Sequence, residues 1–523
     1  MADTLLEWRN YRYFPYERDF ARLEAERLFR SPAKESAAGL QLPAASLDSA
    51  IAERLTYFAR AIHSGGRVVI PRQARLEASA HEVERERQAT RYSAHGLHEY
   101  KGKFNPQVVR AIGNIIGLKE GETVLDPFCG SGTTLLECAH AGWNAVGIDR
   151  NPLAAHIANA KLRALRRADG ALQELKDGVV AALRVSSERL VGIATPSQGD
   201  LESVLGLRWE RELPSINYLR AWFPLPVLAQ AVAIQRVLSL KVPSAEDRAI
   251  FEVVLSDHLR QASLQEPADL RIRRRKDAAA NYALIDWYLD ALSERIDRVA
   301  RARRTLGSVV GRQSAHLADV RTVGWRRAKG TPREGFSAII TSPPYETALP
   351  YIDTQRLSLV LFGHIEANEV QSTERALIGA RDVSTTERRL LEAEIRAGTP
   401  EVPPSVLDLC RELLDAAAGP GNGFRRVARP ALVLRYFKCM ATFFRNARKA
   451  LRPGGCAALV VGTNRTILGG REFVIDTPRL LADVSVHAGF VRDEVRHMDT
   501  YQRYDLHQKN SIDSETLLVM RAP

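Results

Sequence analysis

The sequence predicts an α/β chain built on one parallel sheet, interrupted twice by largely helical insertions. Three observations carry this. ETVLDPFCGSGTTLLECAHAG reads as strand, loop and helix, and NAVGIDRNP follows at once as a second strand, so a βαβ unit and hence a parallel sheet are implied. Strand-type runs then stop and return only at AHLADVR and FSAIITSPPY. At 523 residues the chain also exceeds the roughly 250 to 300 that one core supports, so the sheet must carry sizeable additions.

In chain order, residues 1–91 predict a mostly helical N-terminal extension, with a turn at Ser64-Gly65-Gly66 before a short apolar run from Val68 to Ile70 closed by Pro71. The charged run His81 to Arg91 reads as a solvated helix face leading into the core. Residues 92–162 hold the first half of the sheet domain. There Thr123 to Leu125 forms a strand, Asp126 to Gly132 contains the helix-breaking glycines, and Thr133 to Ala141 is a helix stopped by Gly142. Residues 163–312 are helical in period, with aromatic NYLRAWFPLP and basic RIRRRKD. Sheet signals resume over 313–361, a second polar insertion spans 362–430, and 431–523 close the domain as helix, strand, helix and strand.

Lys and Arg number 74 against 62 Asp and Glu, a surplus of +12 that suits a polyphosphate partner, although solvated surface charge reads the same way. Hydrophobic residues at 45% and charged residues at 26% describe a folded chain. The five cysteines are scattered, with no CxxC pair and no histidine spacing for zinc, so no metal site and a reducing, cytoplasmic setting are expected. The N-terminus lacks an apolar signal region and no stretch approaches 18 apolar residues, so neither secretion nor membrane spanning is expected.

The loop Asp126-Pro-Phe-Cys-Gly-Ser-Gly132 sets Gly130 and Gly132 between a strand and a helix N-terminus, where backbone can approach a ligand closely. A dinucleotide is disfavoured, because the third glycine position of that fingerprint is Leu135. An acid stands at each strand end instead. Asp149, about twenty residues on, is spaced to accept from both hydroxyls of an adenosine ribose. A carboxylate at Asp126 suits a cationic ligand better than a phosphate, and S-adenosylmethionine carries an ammonium and a sulfonium.

DPFCGSGTT, Asp126 to Thr134, resembles the cofactor-binding motif of the DNA amino-methyltransferases, and HGLHEYKGKFNPQ, His95 to Gln107, resembles the segment that precedes it and lines the methionine end of the cofactor. The resemblance implies a class I, Rossmann-like methyltransferase sheet that binds S-adenosylmethionine. It puts Lys103, Phe104, Phe128 and Thr133 near the cofactor, Asp149 on the ribose, and Asp319 as acceptor for the adenine amino group.

Ser342-Pro343-Pro344-Tyr345 follows the apolar run FSAIIT, at the carboxyl edge of the sheet where open α/β folds bind ligands. The two prolines remove N–H donors and leave carbonyls that only accept, which suits an amino group. An exocyclic base nitrogen is a poor nucleophile because its lone pair is delocalised. Acceptors on both its N–H bonds favour a pyramidal nitrogen and stabilise the charge that grows on methyl transfer. Ser342 Oγ and the Pro343 carbonyl are the candidates, with Tyr345 stacking on a base flipped out of the duplex. The tetrapeptide resembles that of N4-cytosine enzymes, whereas N6-adenine enzymes more often begin it with an acidic or amide residue. Ring-carbon methylation needs a cysteine after proline, and no Pro-Cys pair occurs.

The resemblance spans about residues 95 to 160, 315 to 357 and 431 to 521, leaving the insertions unassigned. Within them, Arg271, Arg273, Arg274, Arg275 and Lys276 are expected to touch DNA phosphates, with Arg381 a further contact. A double-stranded DNA methyltransferase acting on cytosine N4 is therefore the expectation, and any restriction endonuclease would be a separate chain. Alternatives are an N6-adenine enzyme, an RNA amino-methyltransferase, and a nucleic-acid-binding module that has lost catalysis.

Overall fold

The computed structural model describes residues 3–43, 47–79, 87–168, 170–191, 197–206, 213, 215–267, 273–275, 282–324, 330–346, 350–419, 423–499 and 514–523. Arg271 and Lys276 lie outside them.

The N-terminal region corrects the helical expectation. Strands β1 (Thr4–Trp8), β2 (Lys34–Ser36), β3 (Gly39–Leu42), β4 (Phe58–His63) and β5 (Val68–Val69) form an antiparallel sheet in the order β2-β3-β1-β4-β5, flanked by α1 (Pro15–Phe29). Each strand is only two to six residues long, and β1 pairs with β4 some fifty residues away. Cross-strand partners such as Trp8 and Phe58, stacked at 5.0 Å, supply the stability, so the helical period of the intervening residues dominates the local pattern. The Ser64-Gly65-Gly66 turn stands where expected, joining β4 to β5, with Gly66 N donating to His63 O at 2.8 Å.

The main sheet has seven strands. In chain order they are β6 (Thr123–Asp126), β7 (Asn144–Asp149), β8 (Gln313–Leu317), β9 (Phe336–Thr341), β10 (Leu451–Gly462), β13 (Val491–Asp499) and β14 (Ser514–Arg521), and β11 (Asn464–Leu468) with β12 (Arg471–Ile475) forms a separate hairpin. The spatial order is β13-β14-β10-β9-β6-β7-β8. All pairings from β10 to β8 are parallel, and β14 runs antiparallel to both its neighbours. This is the expected Rossmann-like class I architecture. Strand β13 went unread because its sequence, VRDEVRHMD, is polar and largely exposed, as suits an edge strand.

Strand β9 is buried at all six residues, which explains its continuous apolar run. The sheet's two faces then meet different parts of the chain. Val124, Ala145, Ala338 and Ile340 pack with the N-terminal region and the first insertion. Leu125, Val146, Ile339 and Leu459 pack with the second insertion and the C-terminal helices. The order of strands reverses between β6 and β9, so the crevice at their carboxyl ends is the ligand position of an open α/β sheet. Among the described residues no helix is long and apolar enough to cross a membrane.

Candidate active site

Both loops singled out in the sequence leave the sheet at this reversal. The β6 loop passes into α2 (Thr133–Ala141), and β7 leads to α3 (Pro152–Arg166). Gly132 has φ +81°, and a Cβ there would come within 2.7 Å of Ala158 Cβ on α3. Glycine is therefore required for the loop to lie against that helix.

Asp149 receives hydrogen bonds from Gly130 N and Asn151 N, both at 2.8 Å, and burial pushes its carboxyl up to about 6. Asp126, only 3% exposed, is likewise raised to about 6 by burial. Thr341 Oγ1 donates to its Oδ1 at 2.6 Å, and Phe128 N at 3.2 Å. Since Thr341 immediately precedes Ser342, this carboxylate ties the loop after β6 to the tetrapeptide after β9.

One cavity gathers most of the expected residues. Lys103, Phe104, Asp126, Phe128, Gly130, Thr133, Asp149 and Asp319 line it together with Ser342 and Pro344. Gly132 shapes it without lining it, and Pro343 and Tyr345 stand outside it. Tyr345 donates from its hydroxyl to Glu515 Oε1 on β14 at 3.0 Å. Glu346, fully buried beside it, pairs with Arg429 and receives Asn464 Nδ2 at 3.2 Å. Lys103 donates to Thr90 O at 2.8 Å, and burial holds its ammonium well below the usual range.

Asp319 is more heavily engaged than expected. Arg321 Nε donates to both its oxygens at 2.9 and 3.1 Å, Arg321 Nη2 donates to Oδ2 at 2.6 Å, and Arg150 adds a further pair. Burial works against the charge, but the Arg321 hydrogen bonds outweigh it and hold the carboxyl below its ordinary value.

The lining residues not expected from the sequence include two tyrosines and two aliphatic side chains. Tyr100 and Tyr351 stack at 6.1 Å, and Leu377 and Ile378 arrive from the second insertion. Tyr100 belongs to the quoted HGLHEYKGKFNPQ segment, but nothing local marks the other three.

That segment also divides. Its second half lines the cavity, whereas His95 is buried against α2, where Glu137 Oε1 meets Tyr92 Oη at 2.7 Å, His95 Nε2 at 2.8 Å and His140 Nδ1 at 3.0 Å. His95, Glu137 and His140 bring three ligand-type atoms within 4.8 Å of one another. Arg110 Nε donates to Glu137 Oε2 at 2.8 Å, however, and supplies the positive charge this acid needs. The cluster reads as a hydrogen-bond network anchoring the segment to the helix.

Of the basic run, Arg273 and Arg274 are exposed, while Arg275 Nη2 donates to Gln261 O at 2.8 Å and Ser263 O at 2.6 Å. Trp287 stacks on His258 at 3.5 Å, with Arg295 over its ring at 5.4 Å. Arg381 is exposed and outside the cavity.

Comparison with known proteins bears on part of this region. A family described as DNA methylase matches residues 79–160, which hold the β6 loop and Asp149. The type II methyltransferase M.MjaII of Methanocaldococcus jannaschii is 44% identical over 82 residues, covering 15% of this chain and 14% of that protein. M.BsoBI, a type II methyltransferase of Geobacillus stearothermophilus, is 44% identical over 66 residues, 13% of each. A tRNA (guanine(10)-N2)-dimethyltransferase of Methanothermobacter thermautotrophicus is 42% identical over 50 residues, 10% of this chain and 15% of that one. The likeness thus spans only about a seventh of the relatives' length.

Proposed function

We propose that this chain is an S-adenosylmethionine-dependent methyltransferase acting on an exocyclic amino group of a base in double-stranded DNA, with cytosine N4 the preferred target. The observation that carries the proposal is that Ser342 and Pro344 line one cavity with Gly130 and Asp149 at the reversal point of the sheet.

The residues fit the cofactor. Asp149 has each oxygen fixed by a backbone N–H and keeps lone pairs for the ribose hydroxyls. Phe128 and Phe104 provide apolar wall, and Leu135, buried where a dinucleotide fold needs glycine, argues against a pyrophosphate ligand. When bound, S-adenosylmethionine supplies an electrophilic methyl group. The chain's own contribution is positioning and polarisation. Ser342 Oγ and the Pro343 carbonyl accept from the target amino group, drawing its lone pair out of conjugation and stabilising the growing positive charge. Tyr345, held through Glu515, offers a ring to the flipped base. Arg273 and Arg274 supply phosphate contacts from the first insertion, while Arg275 serves the end of the preceding helix.

Digesting plasmid DNA and transfer RNA after incubation with labelled S-adenosylmethionine, then identifying the modified nucleoside, tests the proposal. N4-methylcytosine supports it; N6-methyladenine would retain the mechanism and change the base. A second reading, an RNA amino-methyltransferase, draws on the match to the tRNA dimethyltransferase and would give label in RNA alone.

A further inference from the structure

The second insertion meets the cavity at a single turn. Helices α4 (Tyr351–Leu361), α5 (Val370–Arg375) and α6 (Thr385–Ala397) succeed one another after the catalytic tetrapeptide, and the turn Ala376 to Ala380 lies between α5 and α6. Gly379 adopts φ +81°, with Ala380 N donating to Leu377 O at 3.2 Å, so the chain doubles back there. Ile378, 8% exposed, packs with the apolar cluster on that face of the sheet and also lines the cavity that holds Asp149 and Asp319.

The turn is fastened at both ends by arginines from the sheet domain. Arg321 Nη2, the nitrogen that donates to Asp319 Oδ2, also donates to Ala376 O at 2.8 Å. Arg435, on α7 (Arg429–Ala450), donates to Ala380 O at 2.7 Å and to Asp382 O at 3.0 Å. One guanidinium therefore links the acid after β8 to the turn that carries Ile378.

We propose that the second insertion forms the wall of the cofactor's adenine slot, with Ile378 packing on the base and Arg321 as the positioning residue that locks this wall to Asp319. The inference rests on the cofactor reading above and adds a cofactor-side role to a segment whose sequence suggests only DNA, through Arg381. A flat heteroaromatic ring needs an apolar face and a polar edge partner together, and the cavity presents the Ile378 methyls and the Asp319 carboxylate as such a pair.

Titration calorimetry with S-adenosylhomocysteine tests it on wild type, Ile378→Ala, Arg321→Ala, Arg321→Lys and Arg381→Ala. Loss of the Ile378 side chain should weaken binding by about 10-fold or more, the scale for deleting methylenes in an apolar pocket. Arg321→Ala should weaken it too, with Arg321→Lys recovering part of the loss, and Arg381→Ala should bind as wild type. Truncating a buried isoleucine also costs stability. Hydrogen exchange on the unaltered protein therefore gives an independent reading, in which the ligand should slow the amides of Leu377 to Ala380. Wild-type affinity in a folded Ile378→Ala, or exchange in the turn unmoved by bound ligand, would overturn the proposal. A wild-type protein that binds no S-adenosylhomocysteine would instead remove the cofactor reading on which it stands.

Discussion

The two halves of the cavity are built in different ways. The half after β6 and β7 is local: Asp126, Gly130, Gly132 and Asp149 lie within twenty-four residues, and Gly130 N bonds Asp149 directly. The half after β9 is assembled from afar. Thr341 is held by Asp126, Tyr345 by Glu515, and Glu346 by Arg429 and Asn464, partners 83 to 215 positions away in the chain. A local site can be matched in sequence to proteins that share little else, and the family match indeed falls on residues 79–160. A dispersed site leaves only its tetrapeptide to be read.

If the halves also divide the work, their variants should fail differently. The largest effect is expected at Ser342. Removing one preorganised acceptor should cost about 10² to 10³ in single-turnover rate, with cofactor affinity and melting temperature preserved. A wild-type rate in Ser342→Ala would detach the chemistry from the β9 half altogether.

Asp149→Ala should do the reverse, weakening cofactor binding by about 1 to 3 kcal/mol, the scale for losing charged hydrogen bonds, which calorimetry would record. Acid should mimic it. The carboxyl sits at about 6 rather than its ordinary 3.8, so affinity should be full above that pH and decline as pH falls through it. Affinity flat from pH 7.5 to 5 would show that the charge of Asp149 plays no part.

The local half was accordingly legible: strand, glycine loop, helix and acid follow in order, and each expected residue lies in or against one cavity. The position of Ser342 at the end of a strand was legible because an apolar run precedes it, but the partners of its neighbours were not, since Glu515, which holds Tyr345, and Arg429, which holds Glu346, carry no local signature. The same physics explains the N-terminal sheet, whose strands are too short to outweigh helical periodicity until Thr4–Trp8 meets Phe58–His63. It also explains Asp319, where no pattern in the sequence announces that Arg150 and Arg321 already share the carboxylate.

Neither half contains the basic run, which supplies a smaller and separable effect. Replacing Arg273 and Arg274 by Ala should lower the log-log salt slope of DNA binding by about 0.9 for each phosphate that the pair neutralises, with cofactor affinity intact. Arg275→Ala should chiefly reduce stability, because its donors serve Gln261 O and Ser263 O. A wild-type slope in the variant lacking Arg273 and Arg274 would leave the run a solvated surface.

The smallest effect probes the joint between the halves. Thr341→Val is nearly isosteric and deletes the 2.6 Å hydrogen bond to Asp126, at an expected cost of about 1 to 2 kcal/mol in stability. Its pH dependence identifies the interaction. Burial holds the Asp126 carboxyl at about 6 in the folded state against 3.8 ordinarily, so folding favours the protonated acid, and this group's contribution falls as pH rises between those values and is constant above them. The Thr341 hydroxyl stabilises the ionised form and limits that rise. Without it the carboxyl should move further up, so the variant's deficit should be largest near pH 7.5 and shrink towards pH 5, where Asp126 carries its own proton. Thermal denaturation of both proteins at the two pH values measures the difference and cancels every acid they share. A deficit independent of pH would mean that Thr341 serves packing rather than the charge on Asp126, and that the halves are joined instead by the β6–β9 pairing and by Thr134 Oγ1, which donates to Ile340 O at 3.4 Å.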